Sequence, residues 1–160
     1  MAFTSEQALS RAFIDYLNSQ NTEDNASITL VFEPKRLFGI PDIVLVINEY
    51  NDYKFNVALE LKLSKWNKAL KQAFKYKTFA HLSFVLLDDN YVKPAINNIE
   101  RFINANIGLI SLDENGNFYI YHTPYYETPY FPILEQELLN QIEGNNVLEV
   151  DINFITGYNN

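Results

Sequence analysis

The sequence contains no cysteine, which excludes disulfide bonds and every zinc or iron–sulfur site held by thiolates. It also lacks any apolar run near the roughly 20 residues that a helix needs to span a bilayer. The N-terminal segment has no basic start followed by an apolar stretch, so no signal peptide is expected. These absences lead us to expect a soluble, cytoplasmic protein with no membrane partner.

Basic residues are missing from the last third of the chain. Residues 102–160 contain eight acids and no Lys or Arg, so the whole net charge of −8 comes from this segment. Such a net charge argues against a general nucleic-acid binder. The charge is patterned, however, because residues 62–77 contain six lysines and no acid.

The composition is that of a globular protein, with 48% hydrophobic and 15% aromatic residues. A chain of 160 residues can bury a sizeable core without disulfide or metal cross-links. We therefore expect residues 1–160 to form a single domain.

Hydrophobic periodicity predicts an α-β-β-β-α-β order of elements, followed by a helix, two strands and a tail. The first helix follows an N-cap at Thr4 or Ser5, and the other predicted elements are strands 27–34, 42–48 and 54–63, helix 64–82, strand 83–89, helix 93–106, two strands within 108–122, helix 134–142 and a last strand 147–155. Helices interleaved with strands predict an α/β fold with a mixed central sheet that is covered on both faces.

Two carboxylates and an ammonium interrupt the apolar hairpin formed by the second and third strands: Asp42, Glu60 and Lys62. If the hairpin loop is 49–53, Asp42 lies opposite Glu60, with Cβ atoms about 5 Å apart. A shared divalent cation would remove the repulsion between these carboxylates, and Lys62 would lie on the same face as Glu60. A loop of four or six residues would break this pairing, and the three residues would then be ordinary solvated positions.

The order Pro41-Asp42, then Glu60-Leu61-Lys62, resembles the motif of the PD-(D/E)xK nuclease superfamily. The resemblance implies a restriction-endonuclease-like αβββαβ core over about residues 4–89, with residues 93–160 as a C-terminal αββ extension. Gln72 and Tyr76 resemble the Q-x-x-x-Y motif of the Holliday-junction-resolvase and recombination-helicase branch.

The resemblance also implies roles for individual residues. Asp42 and Glu60 would bind Mg²⁺, or alternatively Mn²⁺, together with the Leu61 carbonyl, and Glu6 would complete or modulate the metal shell. Lys62 would orient the attacking water or stabilise the charge of the transition state. Two further residues would contact the nucleic-acid backbone near the scissile phosphate: Gln72 and Tyr76.

Four lysines recur at spacings of three and four in the helix after the motif: Lys65, Lys68, Lys71 and Lys75. On one helix face they would contribute sequence-independent, salt-sensitive affinity for phosphates. The alternative is an ordinary solvated face. The aromatic loop 123–132 is expected to pack at the edge of the core or at a dimer contact rather than to stack on bases.

The sequence thus predicts a metal-dependent nuclease that hydrolyses DNA phosphodiester bonds by activated water. Many members of the superfamily dimerise to cut both strands, so a homodimer stays open. One alternative is a non-catalytic relative that binds nucleic acid or a protein partner through the acidic C-terminal third. Another is an inhibitor or immunity-like protein whose acidic third engages a basic partner. The form of the substrate (duplex, junction, flap, single strand or RNA) is left open.

Overall fold

The computed structural model describes residues 1–20, 26–142 and 149–150. In chain order their helices and strands are α1 (Glu6–Ser19), β1 (Ala26–Phe32), β2 (Ile43–Glu49), β3 (Asp52–Lys62), α2 (Trp66–Lys75), β4 (Leu82–Asp88), α3 (Lys93–Ile96), α4 (Ile99–Ala105), β5 (Gly108–Leu112), β6 (Phe118–His122), α5 (Pro132–Asn140) and β7 (Glu149–Val150). Within these ranges no helix has the length and apolar character needed to cross a membrane.

All the strands form one mixed sheet, in the order β6-β5-β4-β3-β2-β1-β7. The β3–β4 and β4–β5 pairs are parallel, and the remaining pairs are antiparallel. The crossovers between the parallel strands contain the helices α2, α3 and α4, as parallel pairing requires. The predicted mixed α/β sheet and the order of its first six elements, α1 to β4, are therefore confirmed.

Helices cover both faces of the sheet, as predicted, because side chains alternate along each strand. On one face the α1 residues Leu9, Phe13 and Leu17 pack against a cluster that includes Val57 and Leu59. Their spacing of four residues places them on one side of a helix that the Ser5 hydroxyl caps by accepting from the Ala8 amide at 3.0 Å. On the opposite face α2 and the later helices pack over the alternate strand positions: Val31, Val44, Val46, Ala58, Val85 and Leu87.

The hairpin between β2 and β3 differs from the prediction at its turn but not at its open end. Its turn consists of Tyr50 and Asn51, both left-handed at φ 51° and 67°, instead of the five residues 49–53. A bulge after Ile47 adds one residue to β3 and restores the predicted register beyond it, so that Ile43 pairs with Leu59.

Other predicted boundaries are wrong by several residues. The predicted helix 64–82 is α2 followed by a 3₁₀ turn over Tyr76–Thr78, because the chain must turn before β4 begins. The predicted helix 93–106 is broken into α3 and α4, and α5 begins two residues earlier than predicted. Part of the predicted strand 147–155 is β7, which pairs with β1, and the rest lies outside the described residues.

Candidate functional site

Asp42 and Glu60 lie at the open end of the β2–β3 hairpin, Asp42 just before β2 and Glu60 near the end of β3. The Asp42 amide donates to the Leu59 carbonyl at 3.1 Å, so Asp42 lies beside the last strand pair, Ile43 with Leu59. Two residues further into the strands, Val44 and Ala58 belong to the core beneath α2. Because side chains alternate along β3, Glu60 projects to this α2 side of the sheet, where the charge of Asp42 acts on it.

The Asp42 carboxylate is fixed by the backbone of the neighbouring strand. Its Oδ2 atom accepts a hydrogen bond from the Leu61 amide at 2.7 Å. Burial raises the pKa of Asp42 above its ordinary value, while the Leu61 N–H and the charge of Lys62 act in the opposite direction. The bond leaves the carboxylate with a defined orientation at the strand end.

Glu60 is a buried carboxylate with 3% of its surface exposed. Its Oε2 atom lies 2.5 Å from the Tyr76 hydroxyl, and its Oε1 atom lies 3.8 Å from the Lys62 ammonium. Burial raises the pKa of Glu60 from 4.5 to about 7; Asp42 adds to this effect, whereas the Tyr76 hydroxyl and Lys62 oppose it. The side chain therefore keeps its proton to a higher pH than an exposed glutamate does.

Tyr76 links Glu60 to the loop before β2. Its hydroxyl also lies 3.0 Å from the Ile40 carbonyl, but a hydroxyl has one hydrogen to donate. When Glu60 is ionised, Tyr76 donates to it; when Glu60 is protonated, Glu60 donates to Tyr76 and Tyr76 donates to Ile40. Burial and the Glu60 contact raise the pKa of Tyr76 well above its ordinary value, so the phenol stays neutral.

This arrangement differs from the nucleic-acid contact that the sequence predicted for Tyr76. With 1% of its surface exposed, the side chain positions Glu60 from within the core instead of reaching outward. Gln72, one turn earlier in α2, has its Oε1 atom buried without a hydrogen-bond donor in the described residues. A buried acceptor without a donor is uncommon and is a place where water or a ligand can donate.

Lys62 lies between two acids. Its Nζ atom is 3.4 Å from Glu6 Oε1 at the start of α1 and 3.8 Å from Glu60 Oε1. The structure thus brings Glu6 to the site, as the sequence predicted, where its carboxylate contacts the ammonium. Its predicted place in a metal shell stays a prediction, as does that of the Leu61 carbonyl.

The donor set suits a hard divalent cation held by few protein ligands. In the described part of the chain, no group of three or more His, Cys, Asp or Glu residues is arranged to hold a metal ion. Mg²⁺ needs only one or two carboxylates, because water and phosphate oxygens complete its shell. Asp42 and Glu60 could supply these two, since burial raises the pKa of both carboxyl groups and a bound cation would favour their charged forms.

Two contributors to the site carried no signal as functional residues in the sequence analysis: Gly39 and the Ile40 carbonyl. Gly39 adopts φ 83°, and a Cβ atom there would lie 2.9 Å from Tyr76 Cε1. The close approach of this loop to Tyr76 therefore requires glycine. A glycine two residues before the Pro41-Asp42 pair is the one sequence feature that indicated a special backbone there.

The four lysines of the α2 face are exposed, as predicted: Lys65, Lys68, Lys71 and Lys75. None of their ammonium groups forms an ion pair with another described residue. This positive face belongs to the helix that also carries Gln72 and leads directly into Tyr76.

No protein-family model and no curated protein matches the sequence. Among solved structures, the SPO1766 protein of unknown function from Silicibacter pomeroyi is similar, with a TM-score of 0.56 and 18% sequence identity. The match covers 88% of this chain and 84% of that chain. At this identity the similarity concerns the fold alone.

Proposed function

We propose that the protein is a metal-dependent nuclease of the PD-(D/E)xK type, which hydrolyses DNA phosphodiester bonds by activated water. The observation that carries the proposal is that the Asp42 and Glu60 carboxylates lie close enough at the open end of the hairpin for the charge of Asp42 to act on Glu60, with the Lys62 ammonium 3.8 Å from Glu60. The order of elements from α1 to β4 agrees with the restriction-endonuclease-like core that the motif resemblance implies.

The side chains of this site have separate roles in the proposed reaction. Asp42 and Glu60 would hold Mg²⁺, which when bound polarises a phosphoryl oxygen and lowers the pKa of a water molecule. The Leu61 amide and the Tyr76 hydroxyl hold one oxygen of each carboxylate, which leaves the other oxygen of each for a ligand. The Lys62 ammonium would stabilise the negative charge that develops on the phosphate.

The exposed face of α2 supplies the affinity for the polymer in this proposal. Its four lysines would contact phosphates of the backbone and position the strand without reading its sequence. Because they have no acidic partner in the described residues, their charge is available to an anionic ligand despite the net charge of −8.

A non-catalytic binding module is the second candidate. It is favoured by the hydrogen bonds that Leu61 and Tyr76 make to the two carboxylates, since these bonds stabilise the site without a cation. Its proposed binding surface, the acidic C-terminal third, has less support. Four glutamates of that segment have partners within the fold: Glu114 with the Met1 amino group, Glu127 with Lys77, Glu135 with Tyr53 and Glu137 with Arg36.

The test is a cleavage assay over five substrates: duplex, junction, flap and single-stranded DNA, and RNA. Each is incubated with Mg²⁺, with Mn²⁺ or with EDTA. We expect metal-dependent cleavage of at least one DNA substrate, and a loss of at least about a hundredfold in Asp42→Asn and Lys62→Ala. Lys93→Ala is the matched control, because Lys93 is an exposed lysine in α3.

Cleavage that survives Lys62→Ala, or no cleavage of any substrate, would refute the nuclease proposal. Binding of DNA without cleavage would favour the non-catalytic module. Cleavage that persists in EDTA would show that the reaction does not require a metal ion.

A further inference from the structure

Aromatic rings and lysines meet where the end of α2 contacts the loop before β2 and the aromatic loop 123–132. We call Phe38, Phe74, Lys75, Lys77 and Tyr130 the aromatic–lysine track. The three rings are half exposed, at 53% for Phe38, 50% for Phe74 and 51% for Tyr130. Large side chains exposed together on a protein surface commonly mark a binding site.

Cation–π contacts connect the members of the track in sequence. The Lys75 ammonium lies 5.8 Å from the centre of the Phe38 ring. Lys77 lies between the other two rings, with its ammonium 5.3 Å from the centre of Phe74 and 5.5 Å from that of Tyr130. Phe74 and Lys75 are consecutive residues near the end of α2, so both sets of contacts lie around this end of the helix.

The backbone holds the rings of the track in place. The Tyr130 amide donates to the Lys77 carbonyl at 3.2 Å, which fixes the aromatic loop to the end of α2. Lys77 itself is buried and pairs with Glu127 at 2.9 Å, so it serves as a spacer between rings and its charge is neutralised. Lys75, by contrast, is exposed and has no acidic partner among the described residues.

One end of the track adjoins the carboxylate pair. Phe38 lies two residues before Ile40, whose carbonyl is 3.0 Å from the hydroxyl of Tyr76. Tyr76 in turn follows Lys75 and contacts Glu60 at 2.5 Å. Phe38 and Lys75 are thus next in the chain to residues that contact one another beside Glu60, so this end of the track is the one nearest the carboxylate pair.

We infer that the track binds single-stranded nucleic acid, with successive bases on the three rings and phosphates on Lys75 and the neighbouring lysines of α2. Unpaired bases expose a flat face to an aromatic side chain, whereas the faces of paired bases are covered by their neighbours in the duplex. The exposed rings offer bases a surface for stacking, and the exposed ammonium of Lys75 beside them offers a positive charge to a phosphate. The inference rests on the proposed function for its substrate class and adds the form of the substrate.

The aromatic loop acquires a different role from the one that its sequence predicted. Its backbone packs at the edge of the core, because two of its amides donate hydrogen bonds to the carbonyls of Lys77 and Thr78. The ring of Tyr130 nevertheless remains half exposed beside a lysine.

The experiment measures binding in EDTA, so that its result does not depend on cleavage. Fluorescence anisotropy gives the Kd of a single-stranded DNA, a single-stranded RNA and a DNA duplex, each of about 12 nucleotides or base pairs. The proteins are wild type, Phe38→Ala, Phe74→Ala and Phe74→Tyr. Tyr91→Ala is the control, because Tyr91 is also about half exposed, at 45%, but lies outside the track.

We expect wild type to bind at least one single strand more tightly than the duplex. Phe38→Ala and Phe74→Ala should each weaken that binding by at least about fivefold, whereas Phe74→Tyr and Tyr91→Ala should leave it within about twofold. The comparison of the DNA and RNA strands decides which polymer is bound. Because the replaced rings are half exposed, a melting curve that matches wild type verifies that each variant is folded.

Equal binding by wild type and both alanine variants, or preference for the duplex, would overturn the inference. If wild type bound none of the three nucleic acids, the inference would also be overturned, and a protein partner would become the alternative ligand of the track. The two proposals fail separately. Binding that depends on the rings, without cleavage, would support the inference about the track and refute the nuclease proposal. Cleavage with binding that does not depend on the rings would support the nuclease proposal and refute the inference about the track.

Discussion

The buried carboxylate of Glu60 makes the free energy of unfolding depend on pH. We expect the substitution Glu60→Gln to remove this dependence. The rise in its pKa from 4.5 to about 7 means that the folded chain binds this proton more tightly than the unfolded chain does. Stability from this group is therefore fully present below pH 4.5 and decreases as the pH rises through 7. The rise corresponds to about 3 kcal/mol.

Glu60→Gln removes the titration and preserves the contacts. The glutamine amide can donate to the Tyr76 hydroxyl, which then donates to the Ile40 carbonyl, as in the protonated state of Glu60. We expect the free energy of unfolding of the variant, relative to wild type, to increase by about 3 kcal/mol between pH 4.5 and pH 8.

Urea unfolding in EDTA at several pH values between 4.5 and 8 measures this difference. Glu100→Gln is the matched control, because Glu100 is an exposed glutamate in α4. A Glu60→Gln difference that stays constant across the range would refute the assignment of a protonated Glu60 near neutral pH.

Three further predictions concern the metal, the lysines and the loop. Mg²⁺ or Mn²⁺ should raise the melting temperature of wild type but not of Asp42→Ala; an equal response in calorimetry would remove the proposed metal site. Replacing Lys68, Lys71 and Lys75 together by glutamine should weaken the dependence of log Kd for DNA on log salt concentration. An unchanged slope would show that these lysines are exposed to solvent but do not contact DNA. Gly39→Ala should destabilise the fold by about 1–3 kcal/mol more than Gly116→Ala in urea unfolding. Both glycines have similar positive φ, but only at Gly39 does a Cβ approach Tyr76, so equal losses would show that the approach is unimportant.

The register that pairs Ile43 with Leu59 and brings Asp42 and Glu60 to the same end of the hairpin could be predicted, although the turn between β2 and β3 could not. Register in a buried hairpin is set by which residues the two faces must bury, and this requirement acts along the whole of β2 and β3. The turn depends instead on left-handed conformations at Tyr50 and Asn51. Asparagine is a common residue in that conformation, but tyrosine is not, so the composition of the loop did not indicate a two-residue turn.

The role of Tyr76 illustrates what sequence spacing leaves undetermined. The spacing from Gln72 identified Tyr76 as a candidate site residue. The group that its hydroxyl contacts, however, depends on where α2 ends and on how closely the loop at Gly39 approaches the ring. The raised pKa of Glu60 is likewise a property of the assembled core, since its largest cause is burial by residues distant in the chain. Neither feature has a local signature in the amino-acid order.

The energetics of Glu60 bear on why this position is not apolar. At neutral pH and without a cation, a carboxylate buried to this extent costs the fold up to about 3 kcal/mol, a substantial share of the stability of a typical domain. Leucine in its place would retain the packing of β3 against α2 and avoid this cost. Tyr76 reduces the cost but is itself buried in order to do so. A cation shared with Asp42 would reverse the sign, because the ionised form would then be the stable one. A cation-binding function therefore accounts for the pair of acids, whereas a purely structural role does not.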